Sequence, residues 1–190
     1  MKAVINVVLL VCTVVMAYVC FDSIRTPVRF DRARALRESA VKARLLDIRK
    51  AQSAYYLMHG RRYTASFDTL IAFVQTGRLP VSYREEGENK DTFWIALRDT
   101  LYPKGFQPDS LRYIPYGKGA QFEMEVLGKL SSSGLSYCLL EVRAPGDTYL
   151  DGLDRRSILA WKDLQEQQGR YAGLKIGDLE MPNNNAGNWE

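Results

Sequence analysis

The sequence is short of the residues that perform chemistry. It holds one histidine, His59, and three cysteines, of which Cys12 and Cys20 fall in an apolar run and only Cys138 lies beyond it. A lone cysteine outside the run excludes an internal disulfide there, and the cysteine spacing excludes a zinc framework. No phosphate-binding glycine loop, nucleophile elbow or two-histidine metal motif is present. The expectation is a protein without enzymatic activity and without a cofactor.

Charge is missing from Ala3 to Phe21, a run of nineteen residues. At about 1.5 Å rise per residue it reaches roughly 28 Å, close to the ~30 Å hydrocarbon thickness of a bilayer. Residues 1–24 therefore read as a transmembrane anchor. Two processed forms compete with it. Signal-peptide cleavage wants small residues where Tyr18 and Val19 stand. Lipoprotein processing would make Cys20 the lipidated first residue, with Val19 a poor neighbour for that cut. Asn6 and Thr13 are the polar side chains of the run, and either could hydrogen-bond a neighbouring helix. Thr13 could equally bond its own backbone, and Asn6 lies near the interface.

Glycine and proline are absent between Pro27 and Gly60, where Ala, Leu, Arg and Lys predominate. Thr26-Pro27 reads as a helix start, and His59-Gly60 as its end, with glycine in the left-handed cap and His59 near the exposed carbonyls. Residues 25–60 thus form a long basic helix. Val41, Leu45, Ile48, Ala51, Tyr55 and Met58 make one buried stripe, whereas Ala33, Leu36 and Ala40 continue it thinly among arginines. The front half should stand as a stalk and the back half enter the core.

Residues 1–62 carry twelve Lys/Arg against four Asp/Glu, and residues 63–190 carry fourteen against eighteen. The basic segment is expected to meet lipid headgroups or another subunit. Its aromatics, Tyr55 and Tyr56, lie away from the arginines, which argues against nucleic acid. Arg25, Arg29, Arg32, Arg34 and Arg37 follow the span and by the positive-inside bias would hold the domain in the cytoplasm. A whole translocated domain weakens that bias.

Residues 61–180 read as the rest of one α+β domain. Phe67, Leu70, Ile71, Phe73 and Val74 predict a short helix ended by Gly77 and Pro80; Arg84 to Asp91 reads as an exposed loop; Phe93, Trp94, Leu97 and Leu101 predict another short helix. The period then becomes two. Leu111–Tyr116, Phe122–Val126 and Leu135–Arg143 predict three antiparallel strands with hairpins at Gly117-Lys118-Gly119 and Ser131–Gly134. Asp154 should cap a last helix running to about Gln168, buried through Ile158, Trp161 and Leu164. Asp147, Asp151 and Asp154 are a candidate calcium set, although turn and cap roles explain them as well. Residues 181–190, rich in asparagine, read as a loose tail, or one that Trp189 anchors in a groove.

The apolar segment, the proline after it, the Ala/Arg-rich helix, Ala54-Tyr55-Tyr56, Gly60-Arg61-Arg62-Tyr63 and then Leu70, Gly77, Leu79 and Pro80 together resemble the type IV pilin and pseudopilin family over residues 1–80. The resemblance implies a transmembrane helix continuing into an amphipathic helix packed on an antiparallel sheet. It also implies a bacterial inner-membrane location, with the domain in the periplasm. The family's leader glycine, the phenylalanine after it and the fifth-position glutamate have no counterparts, and Asn6 is the nearest polar residue. That pattern implies an anchored accessory subunit, as a homo- or hetero-oligomer with other membrane proteins, rather than a polymerising pilin. Its contacts would use Asn6 and Thr13 in the membrane, Arg32, Arg34 and Arg37 at its surface, and Trp189. A subunit of a proton-driven complex energising TonB-dependent transport would share this topology, and a lipoprotein binding module is the other alternative.

Overall fold

The computed structural model describes residues 2–82, 92–130, 134 and 136–190. Its first element is one helix, α1, Lys2–Met58, of 57 residues. At the standard rise it is roughly 85 Å long. The expected start at Thr26-Pro27 is not a break, because α1 runs through it with Pro27 inside. Proline removes one backbone hydrogen bond at a cost of about 3 kcal/mol. The Ala-, Leu-, Arg- and Lys-rich stretch after it offsets part of that cost, and Pro27 is solvent-exposed. The C-terminus behaves as expected: the Arg61 amide donates to Tyr56 O (2.9 Å), and Gly60 takes a φ of 62°.

Val41, Leu45, Ile48 and Ala51 are fully buried, as their spacing requires. The core extends further toward the N-terminus of α1 than the sequence suggests, since Phe30 is also buried. The expected stalk over the front half is therefore confined to the turns before Phe30. Gln52 is buried as well: its amide donates to Thr64 O (2.6 Å) and accepts from Thr64 N (3.2 Å), tying the segment after α1 back onto the helix.

Helix α2, Phe67–Thr76, buries Leu70, Ile71 and Val74 and is capped by Ser66, which accepts from the Thr69 amide. Strands β1, Arg78–Ser82, and β2, Thr92–Ala96, form an antiparallel pair that the sequence pattern does not reveal. The helix expected from Phe93 begins only at α3, Leu97–Leu101, because Phe93 and Trp94 belong to β2. The expected loop at 84–91 lies outside the described residues.

A second correction falls at Leu111–Tyr116. Pro108–Arg112 is a 3-10 helix, and only Tyr113 makes a bridge, to Gln121, across the turn at Gly117–Gly119. Leu111 and Ile114 are buried in that irregular path. The main sheet instead runs β3, Glu123–Leu130, β4, Ser136–Pro145, and β5, Gly173–Gly177, all antiparallel in that order. Of the expected Ser131–Gly134 hairpin, only Gly134 is among the described residues. Between β4 and β5 lie α4, Gly146–Tyr149, and α5, Arg155–Gln167. Asp154 caps α5 by accepting from Ser157 N (2.8 Å). Ile158 and Trp161 are half-buried, whereas Leu164 faces out.

One face of the sheet, with Met124, Val126, Leu140, Val142, Leu174 and Ile176, packs into the same core as α1 and α2. On the other face Arg143 pairs with Glu123 (3.3 Å), Glu125 and Glu141 (3.3 Å), and Lys175 pairs with Glu141 (2.8 Å). Glu141 is buried beneath these cations. The result is an α+β domain with small antiparallel sheets, carried on a helix that extends well beyond it.

Candidate interaction surface

Between Val4 and Phe21 the side chains of α1 are exposed, and no part of the apolar window is covered by the chain itself. Its mean hydropathy of 2.6 over eighteen residues makes α1 long and apolar enough to cross a membrane. Thr13 donates to Leu9 O (2.9 Å), so its hydroxyl is satisfied within the helix. Asn6 is exposed on the same segment.

The arginine group beyond the span separates into two kinds. Arg37 donates to Tyr149 O (2.9 Å) and Asp151 O (2.8 Å), carbonyls at the end of α4 that have no helical donor of their own. Its guanidinium also lies 5.3 Å from the Tyr116 ring centre. Arg34 pairs with Asp31 (3.4 Å) and Glu38 (3.8 Å) and sits between the Phe30 and Trp161 rings. Both residues hold the domain to α1. Two of the expected partner contacts, Arg34 and Arg37, are thus engaged inside the chain, and Arg32 alone of the three is exposed.

The same holds farther along α1. Arg44 donates to the Ser110 carbonyl, and Arg49 pairs with Glu190 (2.9 Å). Arg37, Arg44 and Arg49 are therefore engaged inside the chain. At about 100° per residue, Phe30, Arg34, Arg37, Val41, Leu45 and Ile48 share one side of α1, whereas Arg25, Arg29, Arg32, Leu36 and Ala43 lie opposite. All five of that second set are exposed. This outward ridge rises from the apolar span and passes along the back of the domain.

The C-terminal segment is docked rather than loose. Gly187 bridges Ile176, Gly177 N donates to Ala186 O (2.9 Å), and the Asn188 amide donates to Lys175 O (3.0 Å). These bonds cover the outer edge of β5. Asn184 and Asn185 take left-handed φ values of 56° and 54°, which asparagine tolerates better than most residues, so the asparagine run builds the turn. Trp189 packs against the core with Lys42 Nζ 5.6 Å from its ring centre. Trp189 thus anchors the tail within the chain.

The three carboxylates considered for calcium each have a different partner, although Asp147 and Asp151 line one pocket of about 440 Å³. Asp147 accepts from Lys162 Nζ (2.6 Å), Asp151 pairs with Lys118 (2.6 Å), and Asp154 caps α5. Hydrogen bonds from Lys118 hold the Asp151 carboxyl below its ordinary range, and those from Ser157 do so for Asp154. Among the described residues no group of three metal-ligating side chains converges. His59 stacks on Tyr55 at 3.9 Å between ring centres, with Nδ1 3.1 Å from Tyr55 O. It closes the helix end.

An open apolar groove of about 410 Å³ runs beside Ala54, Leu57, Met58, Leu79 and Leu101. Arg49, Lys50 and Ser53 supply its polar wall. Comparison of the chain with protein-family models, curated proteins and solved structures finds no match.

Proposed function

We propose that this chain is a non-enzymatic, single-pass, pilin-like subunit of the bacterial inner membrane. Its domain stands in the periplasm and assembles with other membrane proteins of a secretion or pilus-like apparatus. The observation that carries the reading is the continuity of α1: an exposed apolar half and a core-forming half belong to one uninterrupted helix. A flexible tether would leave domain and anchor independent. A continuous helix fixes the height and bearing of the domain over the lipid, which suits a part placed in an ordered assembly. The outward ridge, with Leu36 and Ala43, is the face such neighbours would cover, and Asn6 would hydrogen-bond a partner helix within the span.

The test is the mass of the complex released from membranes by mild detergent. The parent chain is expected in a particle larger than detergent plus one 21.6 kDa chain. Leu36→Glu or Asn6→Leu should shift it toward the single chain while far-UV and near-UV circular dichroism stay unchanged. A parent chain that emerges alone, or variants that leave the particle intact, would count against the proposal.

A further inference from the structure

We propose that Arg25, Arg29 and Arg32 form a binding stripe for the phosphates of anionic phospholipids, on the face of α1 opposite the domain. This inference rests on the anchored reading. The three residues follow steps of four and three, so their side chains stand one above another on the helix. Phe21 and Val28 flank them, and together the five line an open groove of about 500 Å³. The Arg25 guanidinium lies 5.7 Å from the Phe21 ring centre, bringing the first cation to the last ring of the apolar run.

Height along the helix selects the occupant. Arg25 stands four residues past Phe21, about 6 Å of rise, and Arg32 about 16 Å. The headgroup layer extends roughly 5–8 Å beyond the hydrocarbon on each side. Helical side chains lean toward the N-terminus, which here is toward the membrane, so Arg29 and Arg32 reach back to that layer with their long stems. Guanidinium groups bind phosphate oxygens in pairs of parallel hydrogen bonds. A zwitterionic lipid offers the same phosphate, but its choline repels the stripe, so a net negative lipid is favoured.

Charge balance within the chain points the same way. Like charges at these spacings destabilise a helix unless an anion lies between them. Among the described residues Arg29 and Arg32 make no ion pair, whereas Arg34 and Arg49 on the same helix do. The stripe also faces away from the acids of the sheet, which Arg143 and Lys175 already occupy.

The full chain in nanodiscs of equal parts phosphatidylglycerol and phosphatidylcholine tests this directly, with protein-retained lipids counted by native mass spectrometry. Phosphatidylglycerol should be retained preferentially, and each arginine changed to glutamine should reduce that preference on the order of fivefold at most. The combined Arg25→Gln, Arg29→Gln and Arg32→Gln chain should show none. A control with Arg61→Gln, Arg62→Gln and Arg170→Gln, all exposed and remote, should match the parent. Raising salt to about 1 M shortens screening to ~3 Å and should reduce the parent's preference without any substitution. Insertion with no preference, or a preference indifferent to both the stripe and salt, overturns this inference alone. A parent chain that never inserts overturns the anchored reading with it.

Discussion

At the scale of single residues, three tyrosines carry a testable signature. Tyr102 donates its hydroxyl to Asp47 O on α1 (2.7 Å), and Tyr149 is fully buried beside α1. Burial raises the phenol of each above its ordinary range, and burial pushes Tyr171 up to about 12. An unfolded tyrosine ionises near pH 10. The folded state therefore favours the neutral phenols, and their contribution is complete below pH ~10 and lost as pH rises from there toward the folded values. Thermal melts from pH 8 to 11 should show a steady stability up to about 10 and a decline above it. Tyr102→Phe should cost about 1 kcal/mol at neutral pH through its lost hydrogen bond, and should make the alkaline decline shallower. A decline of unchanged steepness in the variant would assign it to other groups.

Which residues touch the domain was only half legible in the sequence. The aliphatic stripe of Val41, Leu45 and Ile48 announced itself because hydrophobic burial follows the helical period. The arginines did not, because a guanidinium pairs as well with a distant carbonyl as with a partner protein, and nothing local distinguishes the two. Arg37 finds its acceptors at Tyr149 and Asp151, more than a hundred positions away. Gln52 was missed for the same reason: its partner, Thr64, becomes a neighbour only once the chain has turned at Gly60.

At the scale of elements, the long helix, α2, α5 and the middle strands follow from pattern, whereas β1, β2, β5 and the docked tail do not. Five-residue strands such as Gly173–Gly177 are too short to show a period. Gly177 is instructive, because its φ of 75° and the Leu140 carbonyl, which a Cβ there would overlap, admit only glycine. The tail's asparagines looked like loop composition, which they are, but the loop is held by Trp189 and by bonds to the edge of β5. Trp189→Ala should remove apolar burial worth about 1–2 kcal/mol and loosen that cover. Amide exchange at Gly177, whose N–H donates to Ala186 O, should quicken by roughly tenfold while β3 and β4 remain protected. Unchanged exchange at Gly177 would show that the backbone bonds hold the tail without the ring.

At the scale of the whole molecule, one long helix joins an apolar rod to an α+β head. The proposed resemblance to pilins rests on residues 1–80, which form the long helix, one short helix and the start of β1. The candidate carboxylates cap or pair and His59 closes a helix, while the apolar run, the outward ridge and the arginine stripe are the surfaces on which the proposed function rests. The most direct measurement is the mass of the mature chain in membranes washed at alkaline pH. The account predicts that the chain stays in the washed pellet with residues 2–21 intact and no acyl group on Cys20. A freely soluble protein whose mass begins beyond Phe21 would contradict it.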